Sequence, residues 1–396
     1  MLLEKGRTAL IDGPASVRIT TGKASIFACP LKIRRNYILR PWRRYPLYAE
    51  EDTEYEISLG ENASHVVVDG NPIEHEWIST VEKCMDDETI VLIGGVDSGK
   101  TTLATVLGNM LVQNRNPCII ADLDPGQSYL SPPTTLGSTK VNTPYHDLSF
   151  APPLYILHIG STSPTLLAEY QIRMSENLLN KIRRKEKFKN LIIDCDGWIE
   201  GENAIKHKMK LLDIVKPTHV IFMNNIPNGL DEYIKDISIK YSVVNSSKFV
   251  LKRGQEARKA LRELSYRRFL KNAIIRTIPI TWVELTTIPT EAFGTKQNPI
   301  EYFRRTLTAY AEENNLLGVD AEDVMEGFLK NRIGVLSYLI GVNGDMLGIG
   351  LLAEINLRKN TLKIFTPVRE QLKKIIISGI ILSIFGEEIF HVKLEK

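Results

Sequence analysis

Short apolar runs of alternating and continuous type divide the chain into three stretches. From residue 1 to about 82, β-type runs such as Val17-Arg18-Ile19-Thr20, Ser25-Ile26-Phe27-Ala28 and Tyr55-Glu56-Ile57-Ser58-Leu59 are separated by Gly, Asn and Pro signals, which predicts a small all-β domain. From 83 to 280 continuous apolar runs at 89–93, 117–122, 154–158, 190–194, 218–223 and 248–252 alternate with helical patterns, the signature of a parallel sheet covered on both faces. From 281 to 396 β-type runs return around one amphipathic helix, Pro299 to Asn314, and close in a meander over Gly334 to Val342, Gly348 to Ile355 and Thr361 to Phe365. Asn343-Gly344-Asp345 and Arg358-Lys359-Asn360 are its turns, Asn-Gly being a strong hairpin signal. The expected fold class is therefore α/β, with a parallel-sheet domain between a small N-terminal β-domain and a mixed, mostly β C-terminal domain.

Composition narrows the function classes little. Hydrophobic residues at 43% and charged residues at 24% are those of a globular chain, and a net charge of +3 is too small to mark a polyanion binder, so any nucleic-acid surface must be a local patch. The longest apolar stretch, Ile375 to Phe385, is interrupted by Gly379 and Ser383 and is far too short for a membrane span. No charged segment, apolar core and cleavage site open the sequence, so a cytoplasmic location without a membrane partner is expected. Cys29, Cys84, Cys118 and Cys195 are scattered without a C-x-x-C pair, and the histidines show no metal-ligand spacing.

The chemistry is concentrated after the first central strand. Gly94-Gly95-Val96-Asp97-Ser98-Gly99-Lys100-Thr101-Thr102 fits G-x-x-x-x-G-K-[ST] between an apolar strand and a helical pattern carrying Leu103, Val106, Leu107, Met110 and Leu111. Such a loop surrounds phosphate oxygens with backbone N–H groups and the positive end of the next helix. Lys100 is expected to reach the β- and γ-phosphates, and the Thr101 hydroxyl to ligate Mg²⁺ or another divalent cation. Asp122 and Asp124 leave the second central strand in Asp122-Leu123-Asp124-Pro125-Gly126-Gln127, where the ligand crevice of a doubly wound sheet lies. Leu191-Ile192-Ile193-Asp194 has the form of a Walker B strand, and Trp198 in Asp196-Gly197-Trp198 offers a flat face for a base. Alone, the first pair reads as a turn and Trp198 as a packing residue.

Basic residues cluster three times. Arg253, Arg258, Arg262, Arg267 and Arg268 form a basic series on an expected helix, where they are either a solvated face or a phosphate-neutralising lid. Lys32, Arg34, Arg35, Arg40, Arg43 and Arg44 are interleaved with Tyr37, Trp42 and Tyr45, which suits nucleic acid or two faces of a strand. Lys181 to Lys189 reads as a solvated helix end.

With these motifs in order, the chain resembles the polynucleotide 5′-hydroxyl kinases, a family that includes the kinase-like subunit of the eukaryotic pre-mRNA cleavage machinery and archaeal enzymes. The resemblance rests on Gly94 to Thr102, Asp122 to Gln127, Gly160-Ser161-Thr162-Ser163-Pro164-Thr165, Asp196-Gly197-Trp198, the arginines from Arg253, and C-terminally Asn331-Arg332-Ile333-Gly334 and Leu347-Gly348-Ile349-Gly350. It implies transfer of the ATP γ-phosphate to the 5′-hydroxyl of RNA, and often of DNA. Lys100, Asp124, Arg253 and Arg258 are then the catalytic group, with Asp124 activating the hydroxyl and the two arginines forming the lid. Thr162 and Ser163 match a clasp on the phosphate at the acceptor's 5′ end, Trp198 a base-stacking residue, and Asp122, Gln127 and Arg262 fall on the acceptor side. The chain departs from the family at Cys195, where many members have Thr, and at Phe269-Leu270-Lys271-Asn272, where an aromatic run usually closes the lid helix. An ATP-holding scaffold of an RNA-processing complex is the alternative; a GTPase switch lacks its Asn-Lys-x-Asp element.

Overall fold

The computed structural model describes residues 1–73, 75–314 and 332–392. Contacts divide the chain into two compact units, Met1–Asp124 with Ser138–Leu154 and Ser175–Leu261, and Pro125–Gly137 with Tyr155–Met174 and Arg262–Lys396.

In the first unit, the N-terminal runs form two antiparallel sheets. One orders Leu2–Leu3, Thr53–Leu59, Ala15–Thr21 and Asn36–Leu39, the other Cys29–Pro30, Ala24–Ile26, Arg44–Ala49, Arg7–Asp12 and Ser64–Asp69. Their alternating residues Ile11, Val17, Ile19, Leu39, Tyr45, Leu47 and Tyr55 make one buried core, which also takes Val106 from the helix Lys100–Gln113. Asn109 on that helix donates to Phe27 O at 2.7 Å and to Tyr145 O at 2.9 Å, so the helix behind the phosphate loop is fixed to the N-terminal sheets by polar as well as apolar contacts at Phe27 and Val106.

Central to this unit are five parallel strands in the spatial order Cys118–Asp122, Asn190–Asp194, Thr89–Ile93, His219–Met223 and Lys240–Val244. Four of the five are buried along their whole length, because helices cover both faces of such a sheet. Continuous rather than alternating apolar runs are the sequence form of that environment. Residues 248–252, expected as a strand, are irregular; the edge beside His219–Met223 is taken instead by Lys240–Val244, whose exposed outer face gives it no continuous apolar run. Val250 N–H turns back to Ser247 O, and Phe249 O faces the Arg44 guanidinium at 3.4 Å, which leaves this apolar run without a ladder.

The basic and aromatic residues of the N-terminal sheets mark two faces. Tyr37 and Tyr45 are buried, whereas Arg43 pairs with Asp147 at 2.9 Å and Arg44 with Asp12 at 2.7 Å. Trp42, Arg34 and Arg35 remain at the surface.

The second unit is built on a mixed sheet ordered Ile274–Pro279, Thr361–Thr366, Met346–Asn356, Ile333–Gly341, Leu372–Ser383 and Glu284–Thr287, with Glu388–His391 also paired to Leu372–Ser383. Only Glu284–Thr287 runs parallel to its neighbour. Helix Pro299–Glu313 starts with Pro299 and an Asn298 cap accepting from Ile300 N–H at 2.9 Å, and buries Tyr302, Phe303 and Leu307 against this sheet. The apolar stretch at Ile375 is thus a central strand, not a span. Asn331 lies outside the described residues.

Candidate phosphate and acceptor site

The loop from Gly94 leaves the carboxyl end of Thr89–Ile93 and enters the helix at Lys100. Gly99 has φ +97°, a conformation that glycine adopts without the Cβ penalty, and a Cβ on Gly94 would lie 2.6 Å from Met223 Cβ and 2.8 Å from Ser98 Oγ. Inside the loop the Lys100 ammonium donates to Gly94 O and Gly95 O, both at 2.8 Å. Those are neutral acceptors, so an anionic phosphate oxygen is a stronger partner for the same charge.

Thr101 Oγ1 donates to Asp194 Oδ2 at 2.7 Å. Asp194 ends the strand beside the loop and lies in register with Asp122 on the next strand, and both are buried. The Thr101 hydroxyl and the Asp194 carboxylate supply hard oxygen donors beside a phosphate loop, which fits Mg²⁺. The pairing of Asp194 with Thr101 was not legible from the 93 residues separating them; only the strand-end acid was.

Asp122 Oδ1 accepts from the Asp124 backbone N–H at 3.1 Å, a turn that sets the direction in which the half-buried Asp124 leaves the strand. Asp196 makes the equivalent turn, accepting from Trp198 N–H at 2.9 Å. Its carboxylate also meets the ammonium of the fully buried Lys208 at 2.8 Å. Burial pushes the Asp196 carboxyl up, but Lys208 and then His207 outweigh it and hold the group below its ordinary value. Gly197 presses on the loop: a Cβ there would come within 2.6 Å of Val96 Cγ2 and 2.8 Å of Val96 N. Trp198 is consequently fixed beside the phosphate loop, half-buried, with the His207 ring 5.5 Å away. Nothing in the sequence singled out Lys208, one of several lysines on its helix. The departing Cys195 is buried, and burial pushes its thiol up to about 12, so it offers no hydroxyl-like contact to solvent.

Arg253 is folded onto the loop. Its Nε donates to Asp97 Oδ1 at 2.8 Å and its backbone N–H to Asp97 Oδ2 at 3.1 Å. Arg258 lies one turn into the helix Gln255–Phe269, and its guanidinium makes no hydrogen bond or ion pair among the described residues. In the second unit, Arg262 forms a two-pronged pair with Glu388 at 2.7 and 2.8 Å. The arginine series is therefore divided, with Arg262 already engaged.

Also in the second unit, Thr162 and Ser163 occupy a tight polar loop. Ser161 Oγ accepts from Ser163 N–H at 3.1 Å, and the Ser163 and Thr165 hydroxyls meet at 2.9 Å. Gly160, at φ +91°, starts the loop where a Cβ would strike Ile288 at 2.6 Å. Gln127 is half-buried in the segment that follows Pro125.

Residues 94–272 match the family described as mRNA cleavage and polyadenylation factor CLP1 P-loop. A polyribonucleotide 5′-hydroxyl-kinase of Methanocaldococcus jannaschii is 27% identical over 325 residues, covering 75% of this chain and 86% of the relative. One from Pyrococcus horikoshii is 26% identical over 321 residues, with 75% and 85% covered. A CLP1 homolog of Culex quinquefasciatus is 20% identical over 397 residues, covering 91% and 90%. Among solved structures, wild-type Clp1p in complex with Pcf11p superposes with a TM-score of 0.68 at 14% identity over 96% of both chains. At that identity the likeness speaks for the fold. No helix among the described residues is long and apolar enough to cross a membrane.

Proposed function

We propose that this chain, whose residues 94–272 belong to the CLP1 P-loop family, is an ATP-dependent polynucleotide 5′-hydroxyl kinase that phosphorylates RNA ends and accepts DNA ends as well. The observation that carries the reading is the close packing of Gly197 on Val96, which holds Trp198 beside a phosphate loop. A plain ATPase has no use for an aromatic face there; a kinase whose acceptor is a nucleotide chain does. The relatives named polyribonucleotide 5′-hydroxyl-kinases support the same activity.

In this reaction the backbone N–H groups from Gly95 to Lys100 and the amino end of the following helix bind the ATP phosphates. Lys100 exchanges the carbonyls of Gly94 and Gly95 for β- and γ-phosphate oxygens. Thr101 and Asp194 would hold Mg²⁺, which would supply neutralisation of the phosphate charge. Asp124 orients the 5′-hydroxyl and takes its proton as the 5′ oxygen bonds to the γ-phosphorus and the bond to the β–γ bridging oxygen breaks. Arg258 and Arg253 neutralise the charge spread over the equatorial oxygens, so positioning and electrostatics carry the catalysis. Thr162 and Ser163 grip the first internucleotide phosphate at the acceptor's 5′ end, and Trp198 stacks on a base. Asp122 braces Asp124, and Gln127 adds a polar contact to the acceptor. Arg262, committed to Glu388, acts through helix placement. By likeness to Clp1p, which is found with Pcf11p, a protein partner from RNA processing is part of the same reading, in the cytoplasm.

Labelled-phosphate transfer from ATP to 5′-hydroxyl RNA and DNA oligonucleotides tests this. Transfer by the wild type, its loss in Lys100→Ala, and its loss with ATP binding retained in Asp124→Asn are expected. A wild type that binds ATP and transfers no label is a scaffold instead.

A further inference from the structure

At the amino ends of the same strands, away from the phosphate loop, three side chains converge that no part of the kinase chemistry uses. Cys84 follows the helix His75–Lys83, Asp87 precedes the strand Thr89–Ile93, and His219 opens the neighbouring strand. Their sulfur, carboxylate oxygen and ring nitrogen all lie within 4.8 Å of one another, and all three residues are buried. The Asp87 N–H donates to Cys84 O at 3.0 Å, a turn that brings the two side chains together. Asn190 Nδ2 holds Asp87 O at 2.8 Å. His219 Nδ1 faces Asp87 Oδ2 at 3.1 Å, while Nε2 is 3.0 Å from Ser242 Oγ.

We propose that Cys84, Asp87 and His219 form a binding site for a zinc-class divalent metal. Bonds of about 2.0–2.3 Å to S, N and O in a tetrahedron separate ligand atoms by about 3.3–3.8 Å, so atoms within 4.8 Å of one another close on an ion by a reduction of at most about 1–1.5 Å per pair, shared between two side chains. The pairing of His219 Nε2 with Ser242 is the outer hydrogen bond that orients a metal-bound imidazole. Binding forms a sulfur–metal bond as the Cys84 thiol releases its proton to solvent; His219 binds neutral through Nδ1, Asp87 as carboxylate, and water fills the fourth position. The Lys240 ammonium, 3.5 Å from Asp87 Oδ1 on a largely exposed side chain, is the competitor that the metal displaces. A strand of five residues is about 16 Å long, so this site is separate from the nucleotide and staples three chain segments at the opposite sheet edge.

Cobalt titration of the chelator-stripped full chain in excess Mg²⁺ distinguishes this site from the oxygen ligands at Thr101. One equivalent of Co²⁺ is expected to give a near-ultraviolet thiolate-to-cobalt band and intense tetrahedral visible bands, which Cys84→Ser removes. Lys240→Met, a surface change that leaves the fold intact, is expected to tighten Co²⁺ about three- to tenfold by ending the competition for Asp87. A wild type without the thiolate band overturns the site, as does a band that persists in Cys84→Ser. Affinity unchanged in Lys240→Met removes Asp87 as a ligand, and with it the site. None of these readouts depends on phosphoryl transfer.

Discussion

The Thr101 hydroxyl donates a 2.7 Å hydrogen bond to the Asp194 carboxylate, joining the first turn of the phosphate-loop helix to the end of the neighbouring strand. Removing either group is expected to weaken the hold on a divalent cation rather than on the nucleotide. In Asp194→Asn the Mg²⁺ concentration for half-maximal transfer should rise about ten- to a hundredfold. A Mg²⁺ titration of label transfer, beside ATP binding measured without the metal, separates the two effects; an unchanged Mg²⁺ midpoint removes Asp194 from the metal site.

Arg253 and Arg258 differ in what they already hold. Arg258 has no partner among the described residues, so Arg258→Ala should leave the fold and ATP binding intact while lowering the turnover rate on the order of 10³-fold. Arg253 is bound to Asp97 in the loop, and Arg253→Ala should weaken ATP binding as well as turnover. Steady-state kinetics with both variants checks this. Equal losses of ATP affinity in the two would contradict the division of roles.

Lys208 and Asp196 form a buried ion pair. Lys208→Met leaves a carboxylate buried without its cation and should destabilise the protein by about 3–5 kcal/mol. The double variant Lys208→Met/Asp196→Asn should recover much of that loss. Urea unfolding measures both. Because Asp196 also fixes Trp198, the single variant should raise KM for the oligonucleotide more than for ATP.

His158 is buried beside Tyr170 and Tyr338, and neither ring nitrogen has a hydrogen-bond partner among the described residues. Burial pushes it down to about 4. Between pH 6.5 and 4 the unfolded chain binds a proton that the folded one excludes, so the stability is fully present above pH 6.5 and falls as pH drops through this window. The contribution is about 3 kcal/mol, and His158→Gln should flatten that part of the profile in unfolding experiments from pH 7 to 4. An unchanged slope would place the acid sensitivity elsewhere.

The phosphate loop, its flanking strand and helix, the acid at each strand end and the C-terminal meander are all set by local order along the chain. Turn chemistry, a glycine that needs positive φ and a continuous apolar run act over a few residues, and a reader of the sequence sees them. Partner choice is not local. That Thr101 meets Asp194, that Asp196 meets Lys208, that Arg253 turns to Asp97 while Arg262 turns to Glu388, and that Cys84, Asp87 and His219 converge are consequences of strand order and register. The same reason misplaced the edge strand: an exposed strand carries no continuous apolar run, so Lys240–Val244 is invisible beside the more apolar 248–252. Sequence alone thus carried the phosphate-loop pattern and the residue types that follow it. Only tertiary packing, which brings together groups far apart in the chain and decides which charges are already neutralised, determined which of them are left for a substrate.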